Sequence, residues 1–419
     1  MVDALKVKIR DKIISNYGRL FSREDVTSKE LEDAINNIID EMAKQEHVDF
    51  SGIDKKKIIQ DLLNDFLGFG PIDSLMKDKL VTEIMINGPK KIFVERNGKT
   101  QLSDITFKDD KELMYLIHKL LAPTRRRVDE SSPYADIALK DGSRVNIIIP
   151  PLALDGPMVT IRKFLNIIKT VDDLITSGTF DKRMAEFLVA CIKAKVNIIF
   201  SGATGVGKTT TLGVLSAHIS DDERIVTIED TAELHLDKPN VVRLEARTRN
   251  IEGKGEIGIR ALFNNSLRMR PERIILGEIR SSEALDMLQA ICSGHTGSLA
   301  VLHANTPCEV IYRLETMILV SGVLIGIDAI HRQMSAAMDV IVHQEQLLDG
   351  TRKVTYITQI NGLKDGQINL EDIFVYDLEG VNPDGGVRGK FKATGVIPKF
   401  YKRFEKAGIR ISQDLFKKD

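Results

Sequence analysis

The spacing of apolar residues changes along the chain, and its first part predicts helices. In residues 1–70 apolar side chains recur every three or four positions, as on one face of a helix. Two such stripes are Leu31, Ile35, Ile38, Met42 and Ile58, Leu62, Leu63, Phe66. Together with residues 4–17 these stripes predict a three-helix unit over residues 1–70. Its apolar faces could serve internal packing alone or the docking of a partner, and the sequence leaves both open.

Between residues 71 and 157 shorter apolar runs with turn residues predict a small α/β domain. Asn97-Gly98 and Asp141-Gly142 each follow a short apolar run, and both dipeptides are strong hairpin signals. A helix is predicted over residues 112–121, between the two hairpins. The stretch PPLALDGP, residues 150–157, is rich in turn-forming residues and predicts a boundary or linker.

From residue 158 to residue 363 short apolar runs alternate with amphipathic helical patterns. This alternation is typical of a parallel sheet that helices cover on both faces. Residues 364–419 then predict a C-terminal extension that is rich in β-structure and partly helical. The whole chain is therefore predicted to be α/β.

The stretch GATGVGKT, residues 202–209, carries the strongest chemical signal. It fits the pattern G-x-x-x-x-G-K-[ST] and lies between a short apolar strand, residues 197–200, and a helix predicted over residues 210–219. In that context backbone N–H groups of the loop bind phosphates at the positive end of the helix. Lys208 is expected to reach the β- and γ-phosphates of ATP, and Thr209 to place its hydroxyl on Mg²⁺. The predicted nucleotide-binding residues are Gly202, Ala203, Thr204, Gly205, Val206, Gly207, Lys208, Thr209 and Thr210.

Two further apolar strands end in carboxylates. The apolar run of RIVTIEDTAEL, residues 224–234, ends at Glu229, and that of RPERIILGEIR, residues 270–280, ends at Glu278. Because ligands bind at the carboxyl ends of parallel strands, both side chains are expected at one phosphate site. Carboxylates repel a triphosphate unless a cation lies between them, which implies Mg²⁺. For either carboxylate alone, a helix cap or a solvated loop end is the alternative.

Two histidines flank another apolar strand, in SGHTGSLAVLHANTP, residues 293–307. His303 follows the strand at its carboxyl end, so it is the better candidate for the nucleotide site. A structural role and a role in the site are both open for His295. Neither histidine has the neighbours of a zinc site in the sequence.

Composition narrows the class of protein. Lys and Arg total 59 of the 419 residues and Asp and Glu total 60, which favours neither nucleic acid nor an anionic membrane surface. The three scattered cysteines predict no disulfide framework and fit a reducing, intracellular location. The amino terminus lacks a signal-peptide pattern, and the longest apolar region, residues 317–330, is too interrupted to span a membrane. Any membrane role is therefore expected to go through partners.

Four stretches together resemble the secretion ATPase superfamily of type II secretion, type IV secretion and type IV pili. They are the phosphate loop, TIEDTAEL, RMRPERIILGEIR and GHTGSLAVLHANTP, which correspond to the Walker A motif, Asp box, Walker B motif and His box of that family. Further stretches, among them GPIDSLMKDKLVTEIMING and RLEARTRNIEGKGEIGIRALFNNSLRMRP, resemble the CpaF type, the motor of tight-adherence (Tad) pili. The similarity runs from about residue 68 to the carboxyl terminus.

The resemblance implies a RecA-like P-loop ATPase domain, preceded by a smaller α/β (PAS-like) domain and an N-terminal helical bundle. It makes Lys208 and Thr209 ligands of nucleotide and metal, and Glu278 the catalytic carboxylate that positions or activates water. Glu229 would support Mg²⁺ or the water, and His303 would sense the γ-phosphate. Arginines would clamp the phosphates: Arg144 and Arg162 first, then Arg127, Arg243, Arg247 and Arg249. Glu272 stands where the family usually has aspartate, and no role is assigned to it.

The resemblance also implies a homohexameric ring that hydrolyses ATP. Such a ring would work at the cytoplasmic side of the inner membrane, on platform proteins that assemble a pilus, with a hinge at residues 155–160. Three alternatives stay open. They are a motor for type II or type IV secretion or DNA transfer, a nucleic-acid translocase, and a nucleotide-gated scaffold without useful turnover. The low content of aromatic residues, 5%, counts against the translocase.

Overall fold

The computed structural model describes the chain in eight segments, residues 2–17, 28–45, 55–96, 98–124, 126–164, 168–247, 255–383 and 385–419. These segments form two compact units, Met1–Leu165 and Asn166–Asp419. Among the described residues, no helix is long and apolar enough to cross a membrane.

The first unit opens with three helices that share one apolar core: α1 (Val2–Tyr17), α2 (Ser28–Gln45) and α3 (Lys55–Leu67). Each helix gives one face to this core, as Ile13, Ile35 and Leu62 illustrate. Both predicted stripes therefore contribute to packing inside the unit. The side chain of Phe66, which completes the second stripe, lies outside the described part of the structure.

The rest of the first unit is an antiparallel sheet of six strands, in the order β3-β2-β1-β6-β5-β4. Buried residues of α5 and of the strands form its common core. The hairpins predicted at Asn97-Gly98 and Asp141-Gly142 are confirmed, because β2 pairs with β3 and β4 with β5. The elements are α4 (Asp73–Lys77), β1 (Val81–Asn87), β2 (Ile92–Arg96), β3 (Lys99–Leu102), α5 (Asp110–Leu121), β4 (Tyr134–Ala138), β5 (Arg144–Ile148) and β6 (Met158–Arg162).

β6 departs from the predicted organisation, which assigned residues 158–162 to the ATPase domain. It pairs antiparallel with β1 and β5, and its buried Val159 and Ile161 alternate with more exposed neighbours. Such alternation is typical of a sheet with one covered face, and it separates β6 from the continuously apolar strands that follow. The compact units accordingly divide after Leu165 rather than after Pro157. Residues 158–160 of the expected hinge thus belong to a paired strand.

The second unit contains a nine-stranded sheet, in the order β15-β14-β13-β12-β7-β11-β10-β8-β9. The part from β12 to β9 is parallel, and β11 separates β7 from β10. This is the RecA-like arrangement, so the predicted α/β fold class is confirmed. The strands are β7 (Ile198–Gly202), β8 (Ile225–Glu229), β9 (Val241–Glu245), β10 (Arg273–Leu276), β11 (Leu299–His303), β12 (Val340–Gln346), β13 (Arg352–Lys364), β14 (Gln367–Val381) and β15 (Val387–Ala393).

Helices cover both faces of the second sheet. One apolar core holds residues of α6, α7, α8 and α13, and the other holds residues of α9 to α12. β13 runs past residue 363 and pairs with both β12 and β14, so the segment predicted as a separate C-terminal extension continues the same sheet. The helices are α6 (Val171–Thr176), α7 (Lys182–Lys193), α8 (Lys208–Ser216), α9 (Ile259–Ser266), α10 (Glu283–Cys292), α11 (Pro307–Leu319), α12 (Ile327–Ala337) and α13 (Tyr401–Lys406).

Candidate nucleotide site

The phosphate loop joins β7 to α8 as the motif predicts. α8 begins at Lys208, earlier than the predicted start at residue 210, and Gly207 is its N-cap with a φ of 96°. Glycine adopts this left-handed conformation readily, and other residues rarely do. The first N–H groups of a helix lack partners within the helix, so this helix start suits a phosphate. Burial varies along the loop. Thr209 is half-buried and Val206 is buried, and the exposed positions are Ala203, Thr204, Gly205 and Thr210.

Lys208 is the first residue of α8 and is only 6% exposed. Its Nζ donates to the carbonyl oxygens of Gly202 at 2.9 Å and Ala203 at 2.5 Å. The same Nζ is 3.4 Å from Nδ1 of His303. The ammonium group is therefore held inside the loop, where a phosphate oxygen can replace carbonyl partners.

Glu278 and His303 meet at the carboxyl edge of the sheet. Glu278 follows β10 and His303 ends the neighbouring parallel strand β11. The Nε2 atom of His303 is 3.2 Å from Oε1 of Glu278. Burial lowers the pKa of His303, the charge of Lys208 lowers it further, and Glu278 opposes this shift. The imidazole thus stays neutral to lower pH than an ordinary histidine.

Arg280 binds the other oxygen of Glu278. Its Nη2 is 2.7 Å from Glu278 Oε2, and its Nη1 is 2.8 Å from Asp230 Oδ2. The hydrogen bond that Arg280 donates to Glu278 is the main reason that the pKa of Arg280 is raised. The sequence analysis missed both Arg280 and Asp230. A usable signal was the spacing in GEIR, because residues two apart in an extended segment share a side.

Glu229 lies at the end of β8, next to β10, and is 3% exposed. Its Oε1 accepts the N–H groups of Glu233 at 2.9 Å and Leu234 at 3.0 Å. Its Oε2 is buried and has no hydrogen-bond partner among the described residues. Burial is the main cause that raises the pKa of Glu229. A side chain at Gly277 would collide with it, since an added Cβ would lie 2.7 Å from Glu229 Cγ.

These residues fit a nucleotide carried with Mg²⁺. The loop provides N–H groups and Lys208 for the phosphates, and Glu229 Oε2 lacks the partner that a metal-bound water would supply. Within the described segments, no group of three or more His, Cys, Asp or Glu side chains could hold a metal unaided. Much of the metal's coordination would therefore come from phosphates and water, with Thr209 and Glu229 as the protein's contribution.

A further set of residues, which the sequence analysis missed, supports the loop from the side of β12. Gln344 is 3% exposed, and its Oε1 accepts the hydroxyl of Thr211 at 2.9 Å. Its Nε2 would lie 3.0 Å from a Cβ added at Gly207. On the same strand, buried His343 is 2.9 Å from the hydroxyl of Ser201 through Nδ1. No local motif marks these residues, because the pairing of β12 with β7 brings them to the loop.

The candidate arginines are distributed over both units. In the second unit Arg243 is exposed on β9 and is near enough to lower the pKa of Glu229, although burial outweighs it. Arg247 Nε donates to the carbonyl of Gly255 at 2.6 Å, and Arg249 lies outside the described residues.

The other three arginines belong to the first unit. Arg162 Nε is 2.6 Å from Glu83 Oε1, and Arg127 Nε is 3.2 Å from Asp129 Oδ2. Arg144 begins β5 and is partly buried. Within the second unit, Arg243 is thus near enough to a carboxylate of the site to affect its pKa.

Two residues from the motifs have structural contacts. Glu272 Oε2 accepts the backbone N–H of Arg224 at 2.8 Å, which joins the start of β10 to the start of β8. His295 Nδ1 is 3.2 Å from the carbonyl of Ala290 and closes the end of α10. The structure places neither of them in contact with the phosphate loop.

Known proteins resemble the chain over most of its length. The family described as "Type II/IV secretion system protein" matches residues 65–361. A putative conjugal transfer protein of Mycobacterium tuberculosis (strain CDC 1551 / Oshkosh) is 33% identical over 304 residues, which is 71% of this chain and 85% of that protein. The type IV secretion system protein VirB11 of Bartonella quintana (strain Toulouse) is 29% identical over 323 residues, 68% of this chain and 90% of its own. Among solved structures, the VirB11 ATPase from the Brucella suis type IV secretion system is 28% identical, covering 68% of this chain and 94% of its own, with a TM-score of 0.38.

Proposed function

Because the chain belongs to the type II/IV secretion system protein family, within the secretion ATPase superfamily, we propose that it is a Mg²⁺-dependent motor that hydrolyses ATP. One observation carries this proposal. Lys208 of the phosphate loop, His303 and Glu278 lie in a continuous series of contacts, at 3.4 and 3.2 Å. A cation for the phosphates and a carboxylate for water are thereby linked through one imidazole.

The chemistry follows from what each side chain can do. Water attacks the γ-phosphorus while the bond to the β–γ bridging oxygen breaks and ADP leaves. Glu278 positions the attacking water and takes up its proton, and Lys208 neutralises charge on the γ-phosphate oxygens. When bound, Mg²⁺ supplies further charge neutralisation, with Thr209 and Glu229 on its side of the site. Phosphoryl transfer depends mainly on such positioning and charge stabilisation.

His303 is suited to report the state of the γ-phosphate. It contacts both Lys208 and Glu278, and its lowered pKa keeps the ring neutral, so that one nitrogen can donate while the other accepts. Arg144 and Arg162 of the first unit are proposed to clamp the phosphates. Arg127, Arg243 and Arg247 are the further candidates for this role.

The biological load is proposed to be a Tad or type IV-like pilus. In this proposal a homohexamer acts at the cytoplasmic side of the inner membrane and drives pilus assembly through membrane platform proteins. The stretches that resemble the CpaF type, from about residue 68 onward, support it. The alternative is a motor for secretion or DNA transfer, which the conjugal transfer and VirB11 names of the relatives favour. Deletion of the gene separates the two: loss of surface pili supports the first, and loss of conjugation or secretion with intact pili supports the second.

Phosphate release from Mg²⁺-ATP tests the enzymatic part of the proposal directly. Wild type should release phosphate, and Lys208→Ala should lose both nucleotide binding and hydrolysis, since the loop then lacks its cation. An Arg388→Gln variant, at an exposed position of β15, is the control and should behave as wild type. ATP binding by wild type without any turnover would instead support a nucleotide-gated scaffold. Strong stimulation by single-stranded DNA at physiological salt would support a translocase.

A further inference from the structure

Arg352 is an unassigned cation beside the phosphate loop. It begins β13, opposite Gln346 of β12, and its Cδ would lie 3.7 Å from a Cβ added at Gly207. Its Nε is buried and has no hydrogen-bond partner among the described residues. A buried guanidinium nitrogen without a hydrogen-bond partner costs free energy. Such atoms are therefore rare in native proteins.

The strand order indicates which end of a nucleotide Arg352 would meet. Glu278 and His303 follow β10 and β11, on one side of β7, whereas β12 and β13 lie on the other side. The γ-phosphate must lie toward Glu278 for water to attack it. The side of β12 and β13 therefore faces the α-phosphate and the nucleoside.

Gln344 keeps this side of the loop in place. Its backbone carbonyl is so close to Gly202 that an added Cβ there would lie 2.1 Å from the oxygen. Its side chain accepts the hydroxyl of Thr211 in α8. Gln344 also pairs with Val354, two residues after Arg352. The strand β12 thus connects the start of β13 to the phosphate loop, with Arg352 beside Gly207.

We propose that Arg352 binds the α-phosphate of the nucleotide, as a second cation on the side of the loop opposite Glu278. This inference rests on the proposed ATPase function and extends it to a residue outside the family's four motifs. Arginine suits the role because its guanidinium stays charged and donates several N–H groups to one phosphate. Since ATP and ADP share the α-phosphate, the contact serves both nucleotides equally.

The test compares Arg352→Met with wild type in the full-length protein. Methionine keeps an apolar stem against Gly207 and removes the charge. The affinities for Mg²⁺-ATP and Mg²⁺-ADP should both fall about ten- to a hundredfold, as for loss of a hydrogen bond to a charged group, with the ratio of the two affinities unchanged. KM should rise while kcat at saturating ATP stays near wild type. Arg352→Lys should recover part of the affinity, and Arg388→Gln should bind as wild type.

The melting temperature without nucleotide separates binding from packing. Because Nε makes no hydrogen bond to the described residues, Arg352→Met should not lower this temperature, and only the increase produced by ADP should shrink. Wild-type affinity for both nucleotides in Arg352→Met would overturn the inference and leave the ATPase proposal intact. A loss of affinity for ATP alone would place Arg352 at the γ-phosphate and would also overturn the inference. If wild type bound no nucleotide, the proposed function itself would fail.

Discussion

Glu229 and Gly277 lie on neighbouring segments. The side chain of Glu229 leaves no room for a side chain at residue 277. An alanine Cβ at residue 277 would lie 2.7 Å from Glu229 Cγ, which is closer than van der Waals contact allows. Gly277→Ala should therefore displace Glu229 and lower hydrolysis on the order of 10²-fold, as a displacement of about 1 Å does at an active site. Nucleotide binding by the loop should persist. Phosphate release and ATP binding measure the two effects, and Gly258→Ala is the control because no atom of the described segments lies within 4 Å of its Cβ position. A wild-type rate of hydrolysis in Gly277→Ala would contradict a role of Glu229 in hydrolysis.

The raised pKa of Glu229 makes the nucleotide-free protein less stable as pH rises. Burial raises the pKa from an ordinary value of 4.5, so the folded state holds its proton to higher pH than the unfolded state does. The resulting stabilisation is complete below the unfolded pKa and is lost as pH rises through the folded pKa. Glu229→Gln lacks this titration. Its melting temperature relative to wild type should therefore be higher at pH 7 than at pH 4.5.

The comparison between two pH values cancels any constant effect of the glutamine amide. Glu186→Gln, at an exposed position of α7, should follow wild type at both pH values. A difference between Glu229→Gln and wild type that does not change with pH would contradict the account. With Mg²⁺-ATP present, wild type should gain more stability than the variant, because a charged carboxylate supports the metal better than a neutral amide.

Arg280 is expected to position Glu278 for water. It binds Glu278 and Asp230 at once, and in Arg280→Gln the carboxylate should lose its orientation. We expect kcat to fall about tenfold with little change in KM, and Arg280→Lys to restore part of it. The melting temperature should change little, because half-exposed ion pairs contribute about 0–1 kcal/mol.

Arg260→Gln is the matched control for Arg280→Gln. Arg260 is similarly half-exposed and forms an ion pair with Asp286 at 2.7 Å. Loss of this ion pair should leave kcat unchanged. Equal kcat for Arg280→Gln and wild type would exclude the positioning role.

At the scale of elements, β10 is joined to its surroundings by a buried arginine. Arg273 binds Glu223 at 2.7 Å and also donates to the carbonyl of Ile192. Arg273→Met should cost about 3 kcal/mol of unfolding free energy, since the carbonyl of Ile192 loses its donor and Glu223 keeps only the half-exposed Lys195. Urea unfolding measures the loss.

Two further variants test this explanation for Arg273. Lys195→Met removes a half-exposed partner of the same Glu223 and should cost less than about 1 kcal/mol. The double variant Arg273→Met with Glu223→Gln should be more stable than Arg273→Met alone. A stability of Arg273→Met equal to wild type would contradict a stabilising role of the pair.

The predicted elements were most accurate where local pattern decides structure. β7, β8, β10 and β11 are short apolar runs, and the residues at their carboxyl ends place Lys208, Glu229, Glu278 and His303 near one edge of the sheet. β6 was assigned to the wrong sheet, because a short alternating strand does not reveal its pairing partners. The continuation of the second sheet through β13 was missed because the local pattern of a strand does not show which strands it pairs with.

At the scale of the whole molecule, long-range pairing limited what the sequence could predict. Thr211 and Gln344 are 133 positions apart, and only the pairing of β12 with β7 brings them together. The bridge from Arg280 to Asp230 likewise joins segments that follow two different strands. Motif spacing predicted which residues would carry the chemistry. It could not indicate which side chains hold those residues in position.

The most direct test of the account is Glu278→Gln, measured for both ATP binding and phosphate release. Glutamine keeps the size of the side chain and removes the carboxylate that we propose accepts a proton from water. ATP affinity should stay close to wild type, and phosphate release should fall by about 10²-fold or more. Wild-type phosphate release from Glu278→Gln, or loss of ATP binding with Lys208 intact, would contradict the catalytic role of Glu278.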